Sequence, residues 1–372
     1  MFGSLHIQGF RCFEDLQLHG LGAVNLVVGR NNVGKTSLLE AIKLRCAGTA
    51  AVWELRELLQ ARQEIERQPS AEGEPSPRWN LSRVFHCEAI GNERNTLPWL
   101  AIGPVGAPES TLRLELGLAR EIENDTGEIS RRVVEEVPGS GDDQDVFQAL
   151  VVSFGDTHRR LYTPKRILGF RPLARLGKTE AQTGSVNCNY RPARGFTEKE
   201  TGELWDSVVL TDLELDVLCA LRIIEPGIER VSVVVLEDPR QSRVPLARRS
   251  GSQEPEALRS LGDGMNRIFE MALGLANSKG GVLLIDEVEN GIHYSVQQEL
   301  WSFIFETAYR LGTQVFATTH SWDCIEAFQK SASAHPAVGT LIRLFRHEGK
   351  ISAEPFGKRQ LEILTKESIE VR

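Results

Sequence analysis

The stretch VNLVVGRNNVGKTSLLEAI, residues 24–42, decides the fold of this chain of 372 residues. Its first five residues form an apolar run that is typical of a buried strand, and its last six carry apolar side chains at helical spacing. The eight residues between them, 29–36, match a phosphate-binding loop, or P-loop, which requires a strand before it and a helix after it. The sequence therefore predicts an α/β fold of the P-loop NTPase type.

The composition of this loop fits phosphate binding. Gly29 and Gly34 let backbone N–H groups approach phosphate oxygens, and the N-terminus of the following helix favours an anion. Lys35 supplies a positive charge for the β- and γ-phosphates, and the hydroxyl of Thr36 is a ligand for Mg²⁺. The nucleotide-binding residues predicted here are Gly29, Asn31, Asn32, Gly34, Lys35, Thr36 and Ser37.

A second apolar run, at 281–285, ends in the two carboxylates Asp286 and Glu287. Strand ends of this kind lie at the sheet edge where α/β proteins bind their ligands. Asp286 is the predicted Mg²⁺ partner, together with Thr36, and Glu287 is placed to polarise a water for attack on the γ-phosphate.

Two further segments have positions that suit the same site. The sequence SLGDG, residues 260–264, precedes a helical pattern at 265–275, and small residues at a helix start allow an anion to approach the backbone. His320 follows a third strand pattern at 314–319 and is a candidate to donate a hydrogen bond to a γ-phosphate.

In this order the motifs resemble those of ABC-type ATPases of the OLD/RecF/SMC-like branch, AAA-family ATPases here without a long coiled coil or a TOPRIM nuclease domain. The resemblance covers the first 45 residues and about 205–372. It implies that Ser260, Gly262 and Gly264 form a signature motif that contacts ATP held by an opposite subunit. It also implies that Glu287 and His320 are the catalytic glutamate and the switch histidine.

The resemblance extends to three less distinctive segments. The sequence IQGFRCF, residues 7–13, is similar to the family's entry strand and arginine-bearing loop, which implies that Arg11 touches phosphate. Residues 289–291 match the D-loop. The segment VNCNYR, residues 186–191, is the candidate for the Q-loop, although it lacks the expected glutamine.

The composition is that of a globular protein with 41% hydrophobic residues, a net charge of −8 and a sequence pI near 5.6. This charge argues against a globally basic nucleic-acid-binding protein. No apolar run reaches the roughly 18 to 20 residues of a membrane span. The six cysteines have no CxxC spacing, so they indicate reduced thiols in a cytoplasmic protein. No membrane partner is expected.

Two local clusters of basic residues are candidates for contact with nucleic acid or an acidic protein. A solvated surface is the competing interpretation of both clusters. The first consists of Arg159, Arg160, Lys165, Arg166, Arg171, Arg175 and Lys178, and the second of Arg240, Arg243, Arg248 and Arg249.

The pattern along the chain predicts a nucleotide-binding lobe from 1–195 and 275–372, with an exposed loop at 63–79 and an antiparallel β portion at about 80–162. The helical lobe that carries the signature motif is predicted at 196–274, with a capping box at 211–214. Together these elements predict an ABC-type head, in which a mixed sheet carries an antiparallel β layer and a helical signature lobe.

The predicted activity is hydrolysis of ATP to ADP and phosphate, with ATP and Mg²⁺ bound between two copies of the chain. The first interpretation is an OLD-like ATPase of bacterial antiviral defence that controls a separate effector, such as a nuclease or a toxin. One alternative is a RecF-like DNA-repair ATPase that binds DNA ends or gaps. Another is a nucleotide-dependent scaffold with negligible hydrolysis.

Overall fold

The computed structural model describes residues 1–68, 76–86, 98–123, 129–134, 146–156, 158–162, 183–235, 242–335 and 337–357, with residues 360 and 363. The helices are α1 Lys35–Ala47, α2 Ala51–Ala61, α3 Glu198–Asp206, α4 Leu213–Leu221, α5 Asp263–Asn277, α6 Tyr294–Leu311 and α7 Trp322–Ala334. The strands of the first half are β1 Ser4–Phe10, β2 Phe13–His19, β3 Val24–Val28, β4 Ile65–Gln68, β5 Ser76–Trp79, β6 Trp99–Gly103, β7 Leu112–Glu123, β8 Ile129–Val134, β9 Val146–Phe154 and β10 His158–Tyr162. Those of the second half are β11 Cys188–Arg191, β12 Ile228–Val235, β13 Arg243–Arg249, β14 Glu256–Ala257, β15 Val282–Ile285, β16 Gln314–Thr318, β17 Gly339–His347 and β18 Lys350–Phe356.

The central layer is a six-stranded mixed sheet in the order β11-β15-β16-β3-β17-β18. Its first five strands are parallel, and β18 pairs antiparallel with β17. The strand β3 is buried along its whole length, as a central strand covered on both faces should be. The predicted α/β class and mixed nucleotide-binding sheet are confirmed.

The antiparallel layer is a seven-stranded sheet that runs β10-β9-β7-β6-β1-β2, with β8 paired to β7. The sequence pattern placed this layer at about 80–162, and the structure adds the N-terminal strands β1 and β2 to it. One apolar core joins this sheet, α1, α2 and one face of the central sheet. A second core joins the other face to α5, α6 and α7.

Two local predictions need correction. The predicted exposed loop at 63–79 contains the paired strands β4 and β5, while residues 69–75 lie outside the described residues. The capping box lies at Thr197 and Glu200, at the start of α3, rather than at 211–214. The predicted helical lobe at 196–274 also holds the three-stranded sheet β12-β13-β14 beside its helices.

Candidate nucleotide-binding and active site

The P-loop, the acids Asp286 and Glu287, and His320 lie at one edge of the central sheet. The strands β15, β16 and β3 are parallel neighbours, so the residues that follow their carboxyl ends lie together. Gly29 follows β3, Asp286 follows β15, and Thr319 follows β16. The site therefore forms because three buried parallel strands have their carboxyl ends at the same edge of the sheet.

The P-loop wraps the N-terminus of α1. Gly34 is the N-cap residue and has a φ of 94°, and Asn32 also has a positive φ, of 63°. No side chain caps this helix among the described residues, so its first N–H groups are available to an anion. The ammonium of Lys35 donates to the carbonyl oxygens of Gly29 at 2.7 Å and Arg30 at 3.1 Å. The loop thus carries uncapped N–H groups and one ammonium at the start of α1.

Hydroxyl groups connect the two acidic positions. The Thr36 hydroxyl donates to Asp286 Oδ2 at 3.0 Å, and the Thr318 hydroxyl donates to Asp286 Oδ1 at 2.6 Å. The same Thr318 oxygen accepts the backbone N–H of Glu287 at 2.8 Å. Thr318 is fully buried, and the sequence analysis gave it no role. It fixes Asp286 and Glu287 relative to each other.

Glu287 stands in an uncommon backbone conformation for a residue with a side chain. Its φ is 51°, in the left-handed region that favours glycine. One of its carboxylate oxygens accepts a hydrogen bond from the side-chain amide of Asn290, in the predicted D-loop. Positive φ at a residue of this kind is often found where a site holds a side chain in a required direction.

Glu289 holds the predicted switch histidine. Its Oε1 accepts the backbone N–H of His320 at 3.0 Å and lies 3.2 Å from Nδ1 of the ring. The Glu289 side chain is 8% exposed, whereas that of His320 is 54% exposed. The histidine ring is therefore anchored on one side and open to solvent on the other.

The charges at the site act on Lys35. Its partial burial lowers its pKa, and the carboxylates of Asp286, Glu287 and Glu289 oppose that shift. The ammonium is thus partly desolvated, and it lies in the field of three acids. A phosphate next to it would favour the charged form of the ammonium.

The oxygens of Thr36 and Asp286 fit Mg²⁺, because both are hard ligands and they face each other at 3.0 Å. In the described part of the chain no group of three or more His, Cys, Asp and Glu side chains is placed to hold a metal ion. A site with two protein oxygens suits Mg²⁺, which usually retains water and binds substrate phosphates.

Arg11 does not have the surroundings that the resemblance implied. Its guanidinium is 6% exposed and pairs with Glu40 at 2.8 Å and with Glu64 at 2.7 Å. The guanidinium of Arg11 is thus part of a buried ion-pair cluster, and its contact with phosphate stays a prediction. A different cation, Arg62, bonds Glu40 at 2.8 Å and lies 3.4 Å from the hydroxyl of Ser37, with 35% of its side chain exposed.

The signature segment faces outward. Ser260 and Gly262 are exposed, and Gly262, with a φ of 112°, is the N-cap residue of α5. The described residues provide no side-chain cap for this helix. Gly264 packs on the D-loop, since a Cβ there would lie 3.0 Å from the carbonyl oxygen of Gly291. Among the described residues, no hydrogen bond or ion pair joins this segment to the P-loop of the same chain.

The Q-loop candidate, 186–191, lies next to β15, the strand that precedes Asp286 and Glu287. Its residues 188–191 form β11, which pairs parallel with β15. The carbonyl of Arg191 accepts the backbone N–H of Asp286 at 2.9 Å. This segment therefore borders the site, and it ends in an arginine rather than a glutamine.

The described arginines of the second basic cluster pair with nearby acids. Arg243 pairs with Asp206, Arg248 with Glu229, and Arg249 with Glu256. Arg240 and the members of the first cluster from Lys165 to Lys178 lie outside the described residues, which include only the backbone of Arg159 and Arg160. The five described cysteines, Cys12, Cys46, Cys188, Cys219 and Cys324, are free thiols.

Two segments of the chain match families of AAA domains. Residues 4–74 match a family described as an AAA domain. Residues 237–323 match a family described as "AAA domain, putative AbiEii toxin, Type IV TA system". The predicted resemblance to AAA-family ATPases is confirmed, and the two matches contain the P-loop and the segment from 260 to His320.

Similarity to individual proteins is more limited. A stretch of 44 residues is 43% identical to "Uncharacterized protein MJECL10" of Methanocaldococcus jannaschii, and it spans 12% of this chain and 20% of that relative. An SMC head domain from Thermotoga maritima matches over 96% of this chain and 99% of its own, with 14% identity and a TM-score of 0.42. An Smc head domain from Pyrococcus furiosus, bound to the C-terminal domain of ScpA, matches over 99% of both chains, with 10% identity and a TM-score of 0.48.

None of the described helices is both long enough and apolar enough to cross a membrane.

Proposed function

We propose that this chain hydrolyses ATP with Mg²⁺, that two copies close around the nucleotide, and that closure controls a separate effector protein. The observation that carries the proposal is the arrangement of Lys35, Thr36, Asp286, Glu287 and His320 at one sheet edge. A P-loop alone would fit any nucleotide-binding protein. The addition of a polarising carboxylate and an anchored histidine fits hydrolysis.

Each residue has a task that its surroundings support. Lys35 and the uncapped N–H groups of α1 would bind the triphosphate. Thr36 and Asp286 would hold Mg²⁺, which neutralises charge that develops on the phosphate oxygens. Glu287 would accept the proton of the attacking water. His320, anchored by Glu289, would donate to the γ-phosphate from its exposed side.

The exposed signature segment supports dimerisation. Ser260, Gly262 and the uncapped N-terminus of α5 would form a surface for an anion, and no hydrogen bond or ion pair among the described residues ties it to the P-loop of the same chain. A two-fold dimer would place this surface over the nucleotide of the opposite copy and would create two equivalent composite sites.

The proposed role as a regulatory ATPase in antiviral defence draws on the description of one matched family. One matched family has "putative AbiEii toxin, Type IV TA system" in its description, which is consistent with a toxin-like effector function or partner. The RecF-like alternative needs a DNA-binding surface. The described arginines of the second basic cluster, paired with acids, offer little net charge for one.

The direct test is the variant Glu287→Gln, which keeps the shape of the side chain but removes the base. We expect it to bind ATP, to lose hydrolysis and to accumulate as a dimer in size-exclusion chromatography with light scattering. Lys35→Ala is the control that should remain monomeric with ATP. Normal turnover in Glu287→Gln would contradict the assigned mechanism, and equal negligible turnover in the wild type would favour the scaffold.

The effector is tested with the same pair of variants. Tagged Glu287→Gln with ATP should retain a co-purifying nuclease or toxin that Lys35→Ala does not retain. Stimulation of hydrolysis by gapped or blunt duplex DNA, without such a partner, would favour the DNA-repair alternative.

A further inference from the structure

A buried ion pair lies between the catalytic sheet and the signature helix. Arg191, at the end of β11, contacts Oε2 of Glu270 through Nε at 3.0 Å and through Nη2 at 3.0 Å. The exposed fractions of the two side chains are 1% and 5%. Asn266 donates to the other oxygen of Glu270 at 3.1 Å. The two charges are thus held in one geometry without contact with bulk solvent.

One end of this pair is joined to the metal-binding carboxylate. The carbonyl of Arg191 accepts the backbone N–H of Asp286 at 2.9 Å. The strand β11 is also paired along its length with β15, which leads into Asp286 and Glu287. A shift of the catalytic carboxylates would therefore move the backbone of Arg191.

The other end lies on the helix that begins at the signature motif. Glu270 is eight residues after Gly262, so about 12 Å of continuous helix separates the pair from the signature at 1.5 Å per residue. The segment after β11, residues 193–195, also packs against α5. Arg267 donates to the carbonyl of Ala193 at 2.9 Å, and at Gly195 a Cβ would lie 2.7 Å from Glu270 Oε2.

The pair is poorly suited to stabilising the fold. Burial lowers the pKa of Arg191 and raises the pKa of Glu270, and their mutual attraction opposes both shifts without cancelling them. Desolvation therefore outweighs pairing. In such cases well-packed apolar residues of similar volume often preserve or increase stability. Since the buried pair between β11 and α5 contributes little to stability, we look for its role in the site.

We infer that Arg191 and Glu270 are positioning residues that transmit nucleotide binding at the P-loop to the signature helix α5. This inference rests on the proposed function, and it names the contact through which the catalytic edge and the dimerisation surface move together. In the nucleotide-bound state, the pair would hold α5 at the angle that presents Ser260 and Gly262 to the opposite copy.

The test is hydrogen exchange of the amides of α5 with and without ATP and Mg²⁺, preceded by an ATP-binding titration. The main variant is Arg191→Met with Glu270→Leu, which replaces the pair by apolar side chains of similar size. Arg191→Lys is the second variant, because it keeps the charge but cannot reproduce the two-nitrogen contact. The matched control is Arg243→Met with Asp206→Leu, an exposed ion pair between α3 and β13.

In the wild type and the control, ATP should slow exchange in α5 by about five-fold or more, an effect of roughly 1 kcal/mol. The double apolar variant should keep its Tm and bind ATP within about two-fold of the wild type, yet lose this protection. If the double variant does not fold, Arg191→Lys should show the same loss in part.

Equal protection of α5 in the wild type and in the folded variants would overturn the inference, as would absence of any response in the wild type. If protection of α5 depends on Arg191 and Glu270 while the protein stays monomeric with ATP, the inference is supported and the proposed dimer is contradicted. Failure of the wild type to bind ATP would overturn both.

Discussion

The hydroxyl of Thr318 should be required for catalysis, although it contacts no substrate. The substitution Thr318→Val keeps the volume of the side chain and removes the oxygen between Asp286 and Glu287. The hydroxyl donates to a charged carboxylate at 2.6 Å and accepts the N–H of Glu287 at 2.8 Å. Because Thr318 is fully buried, water cannot easily replace it.

The expected loss follows from these two bonds. A hydrogen bond to a charged group contributes about 1.5–3 kcal/mol, and a buried N–H left without a partner costs about 1–3 kcal/mol. Since contributions within one network are not additive, we expect the free energy of unfolding to fall by about 2–4 kcal/mol. If roughly 1.4–2.8 kcal/mol of this is lost in the transition state, kcat falls about 10- to 100-fold.

The assay is steady-state ATP hydrolysis together with urea unfolding. The matched control is Thr313→Val, just before the other end of the same strand, where a buried hydroxyl donates only to the carbonyl of Ser278 at 3.0 Å. That control should lose about 0.5–1.5 kcal/mol of stability and keep its kcat. Wild-type kcat in a Thr318→Val protein that has lost the expected stability would refute the reasoning.

Three further outcomes are expected. Lys35→Ala should reduce ATP affinity at least about 100-fold in a binding titration, because it removes the partly buried ammonium of the P-loop; unchanged affinity would exclude the P-loop assignment. Arg62→Ala should raise KM for ATP about three- to ten-fold with a smaller change in kcat, because the guanidinium lies next to the hydroxyl of Ser37. The control is Arg56→Ala, in α2. Burial raises the pKa of Glu270 above its ordinary 4.5, so the folded protein binds the carboxyl proton more tightly than the unfolded chain does. The free energy of unfolding should therefore fall as pH rises from 4.5 through the raised pKa. Glu270→Gln should flatten this part of the curve of unfolding free energy against pH, and an unchanged curve would contradict the burial argument.

The sequence was sufficient for the elements whose signals are local. The apolar run 24–28 matches β3 residue for residue. Positions 286, 287 and 320 were found because each follows a short apolar run, and parallel strands bring their ends together. The antiparallel layer was predicted, but the membership of β1 and β2 was not, because strand pairing at long range leaves no local trace.

The features that the sequence could not resolve depend on contacts between distant residues. Arg11 is paired with Glu40 and Glu64, and nothing in the sequence distinguishes an arginine that meets phosphate from one that meets two buried acids. Thr197 and Thr211 both begin a Thr-x-x-Glu pattern, so the pattern alone could not select the true capping box. The loop predicted at 63–79 missed the pairing of β4 with β5; among the described strands β5 pairs with β4, and Pro77 is compatible with such an edge strand.

The central claim is that ATP is bound by residues of two copies, and mixing two inactive variants tests it most directly. Lys35→Ala removes the P-loop half of the site, and Ser260→Arg blocks the signature half at an exposed position. In a mixed dimer one composite site carries both lesions and the other carries neither. After subunit exchange is demonstrated by a tag-based pull-down, we predict that ATP hydrolysis reappears on mixing. Continued inactivity with proven exchange would contradict the composite site.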